Sequence, residues 1–152
     1  MPKMILDWKT THDFIKDAFI GVGVPADEAE IVTDVLLESD RRGIESHGCN
    51  RFKPVYIDRI HAGIQFPTTN FEILKETETT AVVDGHHGMG QVIGYKAMSM
   101  AIEKAKKYGM GMVTVRNTLW YCWLLYINGN KGRLYRYDRY KRSSFSCSHI
   151  WC

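Results

Sequence analysis

Apolar residues recur with helical spacing along the first sixty positions of the chain. The first apolar face runs through residues 14–22, and Thr10 or Thr11 is predicted to cap the helix that carries it. A second helix is predicted to open at Pro25 and to end before Gly43, which suits the residue just past a helix. Its repeating positions are Ala29, Val32, Leu36 and Ser39.

A third helix is predicted to begin near Gly48 and to end at Gly63. Its apolar face consists of Phe52, Val55, Tyr56 and Ile60. Pro54 fits this helix only near its first turns, because proline lacks the N–H that an interior position needs. Ser46 and His47 are therefore expected at the N-terminus of this helix, where unpaired N–H groups favour an anion.

Beyond residue 66 the pattern changes to short strands around one long helix. Residues 71–74, 79–83 and 110–115 are predicted strands. A glycine-rich loop at residues 85–90 leads into a helix over residues 91–108. The buried stripe of that helix is predicted to be Tyr95, Met98, Ala101, Ile102 and Ala105. A strand–helix–strand unit that follows helices predicts an α+β fold with α/β elements.

The composition changes sharply near residue 118. Residues 1–117 carry 14 basic and 16 acidic side chains, a net charge of −2, whereas residues 118–152 carry six basic and one acidic, a net charge of +5. The second segment also holds three of the four cysteines, three of the four tryptophans and five of the eight tyrosines. Its apolar residues follow neither a helical nor a strand period. The overall charge of +3 therefore averages two unlike segments.

Candidate chemistry is concentrated at the junction between the second and third predicted helices. His47 and Arg51 are four residues apart, so a helix that begins here places them on one face. An imidazole can transfer a proton near neutral pH, and a guanidinium can hold a carboxylate through two hydrogen bonds. Ser46 and Arg42 flank this pair. The alternative is that His47 caps the helix and Arg51 is a solvated surface residue.

The glycine-rich loop at residues 85–90 is open to two interpretations. A phosphate-binding loop is one, although the order Gly85, Gly88, Gly90 differs from the Rossmann pattern. A tight turn that needs the backbone freedom of glycine is the other. A metal site at His86 and His87 is not expected, because adjacent loop side chains rarely converge on one ion.

Several segments resemble, in order, the malate/L-lactate dehydrogenase family that includes ureidoglycolate and sulfolactate dehydrogenases and is unrelated to the Rossmann-type enzymes. The resemblance covers residues 8–117. The segments are GVGVP (21–25), RGIESHGCNR (42–51), AGI (62–64), VDGHHGMGQ (83–91) and VRN (115–117). The resemblance implies an NAD- or NADP-dependent oxidoreductase of malate- or lactate-type 2-hydroxy acids.

The resemblance also implies roles for individual residues and partners. His47, with Ser46 beside it, would handle the proton, while Arg51 and Arg42 would bind the substrate. Three further residues, Gly88, Gly90 and Asn117, would contact the cofactor. Intact members of the family form homodimers and act on small 2-hydroxy or 2-keto acids, so neither a nucleic acid nor a membrane partner is expected. A second histidine of the family, expected soon after Asn117, is missing.

The tail has the properties of an out-of-frame translation. Residues 119–126 can be spelled CTT TGG TAT TGC TGG CTA CTA TAT, which from the second base encodes the family motif Phe-Gly-Ile-Ala-Gly-Tyr-Tyr. The same offset turns residues 137–144 into Met-Thr-Gly-Thr-Asn-Ala-Arg-Pro, which also resembles a family motif. We therefore expect three segments: a helical substrate and dimer region (1–66), the start of a cofactor domain (67–117) and a frame-shifted tail (118–152). Such a chain would stop early and be an inactive fragment.

Two other functions are compatible with parts of the sequence. The basic, tyrosine-rich tail has the composition of a nucleic-acid-binding segment, since cations meet phosphates and aromatics stack on bases. Residues 8–63 alone would suit a helical interaction module. No apolar run approaches the roughly 20 residues that span a bilayer, and no signal segment is evident, so a cytoplasmic location is expected.

Overall fold

The computed structural model describes residues 6–118 in full and, beyond them, the backbone of two strands at residues 135–138 and 148–151. The chain divides into two compact units, Met1–Thr68 and Thr69–Cys152. Within the described residues, the first unit is built of helices and the second of a sheet with one long helix. The α+β prediction is confirmed.

Two regular helices form most of the first unit. Helix α1 spans Trp8–Gly21 and helix α2 spans Ala26–Arg41. Pro25 directly precedes α2, and Gly43 follows it with φ = +75°, as the sequence predicts. The predicted cap of α1 at Thr10 or Thr11 is wrong, because the Asp7 carboxylate caps this helix and accepts the Thr10 N–H at 2.9 Å.

The third predicted helix is broken into short pieces. Two 3₁₀ turns, Glu45–His47 and Cys49–Arg51, are followed by a π-helical turn at Phe52–Ile57 and by α3 at Asp58–His61. Pro54 lies within the π-helical turn, where its missing N–H and its ring prevent a regular α-helical ladder. The expectation that Ser46 and His47 start a regular helix is therefore wrong, although Gly63 ends the segment as predicted, with φ = +69°.

Aromatic side chains connect this irregular segment to the core of the first unit. The Phe19 side chain is fully buried, and its ring meets Phe52 at 5.1 Å and Tyr56 at 6.0 Å in edge-to-face contacts. Such contacts add to the free energy gained by removing the rings from water. The other buried apolar residues of this unit are Ile15, Val24, Ala29, Val32, Leu36 and Leu37. The irregular segment is thus anchored to α1 through Phe52 and Tyr56.

The second unit contains a three-stranded sheet in the order β1-β2-β3. Strand β1 is Glu72–Glu76, β2 is Thr80–Asp84 and β3 is Met112–Arg116, while helix α4 spans Gly90–Tyr108. The β1 and β2 strands are antiparallel. The β2 and β3 strands are parallel and are connected through α4. Two further strands, β4 (Tyr135–Asp138) and β5 (Ser148–Trp151), form an antiparallel pair.

Helix α4 covers one face of this sheet. The core consists of Ala81, Val83, Ile93, Ala97, Met98, Ala101, Val113 and Val115. Gly111 lies so close to the Ala101 carbonyl that a methyl group would not fit between them, so small residues of α4 face the sheet. Tyr95 is 46% exposed, which contradicts its predicted place in the buried stripe.

Among the helices that the structure describes, none combines the length and the apolar character needed to cross a bilayer.

Some predictions concern parts of the chain outside the described residues. The side chains of residues 119–152, on which the frame-shifted tail and its nucleic-acid alternative depend, lie outside the described residues.

Candidate active site

The two 3₁₀ turns bring Ser46 and His47 into direct contact. Each turn is closed by a backbone hydrogen bond of 2.9 Å, from His47 N to Ile44 O and from Arg51 N to Gly48 O. The Ser46 Oγ lies 2.8 Å from Nδ1 of His47. This contact orients the imidazole and makes its tautomer depend on the Ser46 hydroxyl. If Nδ1 carries the proton and donates to Ser46, Nε2 is the basic atom of the ring.

Arg51 closes the same cluster from the second turn. Its Nε donates to the Ser46 carbonyl at 2.7 Å, which folds the guanidinium back over the first turn. Burial of His47, followed by the positive charge of Arg51, lowers the pKa of the imidazole. A neutral imidazole at neutral pH can accept a proton. The structure thus brings Ser46, His47 and Arg51 together through a bent turn instead of one regular helix face.

Arg42 has a different environment at the end of α2. Its Nε donates to Oε1 of Glu38 at 2.8 Å, one helical turn earlier. The Glu38 carboxylate also lies 3.5 Å from Nη1 of Arg41. This pairing places a positive charge at the C-terminus of the helix, where it is favourable. Arg42 therefore supports the end of α2, and its role in substrate binding stays a prediction.

Asp40, which no sequence pattern indicated, lies against the junction of the two 3₁₀ turns. Its Oδ2 accepts the backbone N–H of Cys49 at 2.8 Å. A methyl group on Gly48 would collide with this carboxylate, so a larger residue here would displace the Asp40 side chain. Burial, and then the hydrogen bond to Asp40 and the charge of that carboxylate, raise the pKa of the Cys49 thiol to about 12. An aspartate eight residues before a glycine is a weak sequence signal, because only the turn brings the two residues together.

A second polar cluster lies at the ends of β2 and β3. Its centre is Asp84, which is 2% exposed. The carboxylate accepts the His86 N–H at 2.9 Å, Nε of Arg116 at 2.7 Å and Nδ2 of Asn117 at 3.0 Å. Burial acts to raise the pKa of Asp84, but the hydrogen bonds from His86, Arg116 and Asn117 outweigh it and lower the pKa to about 2. Asp84 is thus ionised at neutral pH although its side chain is buried.

The glycine-rich loop is tied to this cluster through its own backbone. The N–H groups of Gly85, His87 and Gly88 donate to Arg116 O, Asn117 O and Gly85 O at 2.7–3.0 Å. Because the His86 N–H binds Asp84, four consecutive amides of the loop have protein acceptors. They cannot also cradle a phosphate in this arrangement, so the geometry favours the tight-turn interpretation.

Backbone conformation around the loop is unusual. Three residues that are not glycine have left-handed φ angles: 45° at His86, 57° at His87 and 53° at Asn117. Such angles are uncommon outside glycine and require support from the surrounding structure. The hydrogen bonds to Asp84 provide this support. Gly88 packs against Thr69, Gly90 is buried at the start of α4, and the cofactor contacts of Gly88, Gly90 and Asn117 stay a prediction.

Two further groups of polar side chains lie outside these clusters. His12, Glu30 and Asp34 place ligand atoms within 4.8 Å of one another between α1 and α2. The Lys16 ammonium pairs with Glu30, which gives this carboxylate a cationic partner within the chain. His86 pairs with Glu72, its Nε2 lying 2.6 Å from Oε2.

Lys104 lines a cleft of 410 Å³ in the second unit. Its side chain is 9% exposed, and its ammonium donates to Glu76 at 2.8 Å and to the Thr77 carbonyl at 2.7 Å. A buried ammonium needs such partners. The cleft is lined by Glu76, Thr77, Glu78, Met100, Glu103, Lys104, Lys107 and Tyr108.

Comparison with known proteins shows that this chain and its fold are similar to dehydrogenases. Residues 6–128 match the family model for malate/L-lactate dehydrogenase. The chain therefore belongs to the malate/L-lactate dehydrogenase family. The match extends to residue 128, which is eleven residues past Asn117, where the resemblance between sequence motifs ends.

Similar proteins cover the same part of the chain. L-Sulfolactate dehydrogenase of Methanocaldococcus jannaschii is 44% identical over 114 residues, which are 75% of this chain and 33% of the relative. Malate dehydrogenase of Pyrococcus abyssi is 46% identical over 105 residues, 69% of this chain and 29% of the relative. The crystal structure of malate dehydrogenase from Entamoeba histolytica aligns with a TM-score of 0.75 and 46% identity, over 78% of this chain and 33% of that one. The chain thus spans about a third of the length of these relatives.

Proposed function

We propose that this chain is the N-terminal part of an NAD- or NADP-dependent dehydrogenase of malate- or lactate-type 2-hydroxy acids. The cluster of Ser46, His47 and Arg51 carries this proposal, because it combines a proton acceptor with a carboxylate-binding group inside the segment that matches the family. The reaction moves a hydride from the hydroxyl-bearing carbon to the nicotinamide and the hydroxyl proton to a base. A 2-hydroxy acid becomes a 2-keto acid.

His47 is the proposed base for the hydroxyl proton. This role requires an unprotonated Nε2, so Nδ1–H must donate to Ser46 across the observed 2.8 Å. The lowered pKa of His47 keeps the imidazole neutral and able to accept the proton at neutral pH. Ser46 would then serve as the hydrogen-bond acceptor that orients the imidazole.

Arg51 is the proposed binding group for the substrate carboxylate. Its Nε is engaged by the Ser46 carbonyl, which fixes the plane of the guanidinium beside His47. A planar guanidinium held in this way recognises a carboxylate with defined direction. An acid bound here would present its 2-hydroxyl group on the side of the imidazole.

We further propose that residues from about 119 onward are read out of frame. The abrupt change in composition and the two recovered motifs support this interpretation. The 152-residue chain on its own is then expected to be inactive.

The codons of residues 119–144 and the activity of the corrected gene test this proposal. Restoring the frame near residue 118 should give a protein that reduces NAD or NADP with malate, lactate or sulfolactate, followed at 340 nm. In that protein Arg51→Ala should raise KM by roughly 10- to 100-fold, the loss expected for one charged hydrogen-bonding group. Arg41→Ala is the matched control, since Arg41 is an exposed arginine on α2. Codons incompatible with the offset, or a corrected protein without turnover, would refute the proposal.

A further inference from the structure

Asp40 connects α2 with the junction between the two turns of the candidate site. It lies in the last turn of α2, and its side chain is half-buried. Its Oδ2 accepts the Cys49 N–H at 2.8 Å, at the first residue after the junction of the two 3₁₀ turns. A charged acceptor makes such a hydrogen bond stronger than one between neutral groups.

The junction at Gly48 determines how the two turns are placed relative to each other. His47 belongs to the first turn and Arg51 to the second, and Gly48 lies between them. The Asp40 carboxylate packs directly against the Cα of Gly48, in the space that a methyl group would occupy. Asp40 therefore packs against Gly48 at the junction and accepts a hydrogen bond from the N–H of Cys49.

We infer that Asp40 is a positioning residue, which holds His47 and Arg51 in register through the Gly48–Cys49 backbone. Because Arg51 binds the Ser46 carbonyl and Ser46 binds the imidazole, a shift of the second turn changes the environment of Nδ1. The importance of this role for catalysis rests on the proposed function, but the positioning itself does not. A dehydrogenase assay that failed would refute the function and leave the positioning result standing.

The test is made on the full 152-residue chain by NMR. Two signals are followed: hydrogen exchange of the Cys49 amide, and the ¹⁵N shifts of the His47 ring, which report its tautomer. Asp40→Ala should speed exchange of the Cys49 amide by roughly 10- to 100-fold. The same variant should move both ring nitrogens of His47 towards the averaged values of a free imidazole. A change in global stability alone would leave the ring signals of the folded state where they are in the wild type.

Asp34→Ala is the matched control, since Asp34 is an exposed aspartate on α2 that lies 3.2 Å from His12. It should shift the ring signals of His12 and leave those of His47 unchanged, whereas Asp40→Ala should do the reverse.

Two milder variants keep the inference testable if Asp40→Ala does not fold. Asp40→Asn retains an acceptor oxygen and should preserve both signals. Gly48→Ala retains the carboxylate but displaces it, and should change both. Loss of Cys49 protection with unchanged His47 ring signals, in any folded variant, would overturn the inference. Changes of the two signals together would support it.

Discussion

Replacement of Asp84 by asparagine tests whether a buried charge organises the second unit. The carboxylate is almost fully buried and receives hydrogen bonds from the His86 N–H, Arg116 and Asn117. Asp84→Asn keeps the shape but turns one acceptor oxygen into an NH₂ group that faces these donors. An unsatisfied buried polar group costs about 1–3 kcal/mol. We therefore expect the free energy of unfolding to fall by about 2–4 kcal/mol at pH 7 once the lost charge is included.

The pH dependence of this loss follows from the lowered pKa of Asp84. A fall from 3.8 to about 2 on folding corresponds to about 2 kcal/mol in favour of the ionised folded state. Because the pKa is lower in the folded state, this stabilisation is present above pH 4 and is lost as the pH falls towards 2. The difference in the free energy of unfolding between wild type and Asp84→Asn should therefore shrink by about 2 kcal/mol as the pH falls from 7 to 2.

Urea unfolding followed by far-UV circular dichroism at pH 7, 4 and 2 measures this difference. Glu78→Gln is the control, since Glu78 is an exposed carboxylate in the same unit, and it should behave as wild type at each pH. A difference that stays constant across this range would show that Asp84 does not hold a buried charge, and would refute the reasoning.

Three further predictions concern packing, reactivity and a buried cation. Gly111→Ala should lower the free energy of unfolding by about 1–3 kcal/mol, because the new methyl group meets the backbone of α4. Gly21→Ala is the control, since a methyl group at Gly21 contacts no other atoms. It should leave the free energy of unfolding unchanged or raise it by about 0.4–1 kcal/mol. With the other three cysteines replaced by serine, Cys49 should react with iodoacetamide about 10³-fold more slowly in the folded chain than in urea, since its pKa is about 12. Lys104→Met should cost about 1–2 kcal/mol in a urea melt, because its carbonyl partner loses a donor; an unchanged midpoint would contradict this.

The helices and strands of the described chain could largely be predicted from local patterns. Gly43, Gly63 and Gly109 follow helical segments with positive φ angles, as glycines at these positions predict. The predictions failed where a distant contact decided the outcome. Tyr95 has the spacing of a buried residue but is 46% exposed, because the side of α4 that packs on β2 and β3 carries Ile93, Ala97, Met98 and Ala101.

In the candidate site too, some residues could be predicted from the sequence, whereas others depend on a tertiary contact. His47 and Arg51 could be selected from their chemistry and spacing, and the family match supports the segment that contains them. Asp40 could not be selected, because an aspartate in an amphipathic helix is usually a solvated residue. Its role depends on the position of the Cys49 N–H, which is set by the folding of the turn.

The sequence by itself determined the order of helices and strands, the family and the residues able to move a proton or bind a carboxylate, because these depend on side-chain chemistry and on periods of two to four residues. Only the tertiary structure decided how those residues meet. The predicted third helix is interrupted by a π-helical turn that contains Pro54. Asp40 holds the turn by packing against Gly48 and accepting the Cys49 N–H. Contacts between residues far apart in the chain depend on backbone geometry and burial, which no local pattern records.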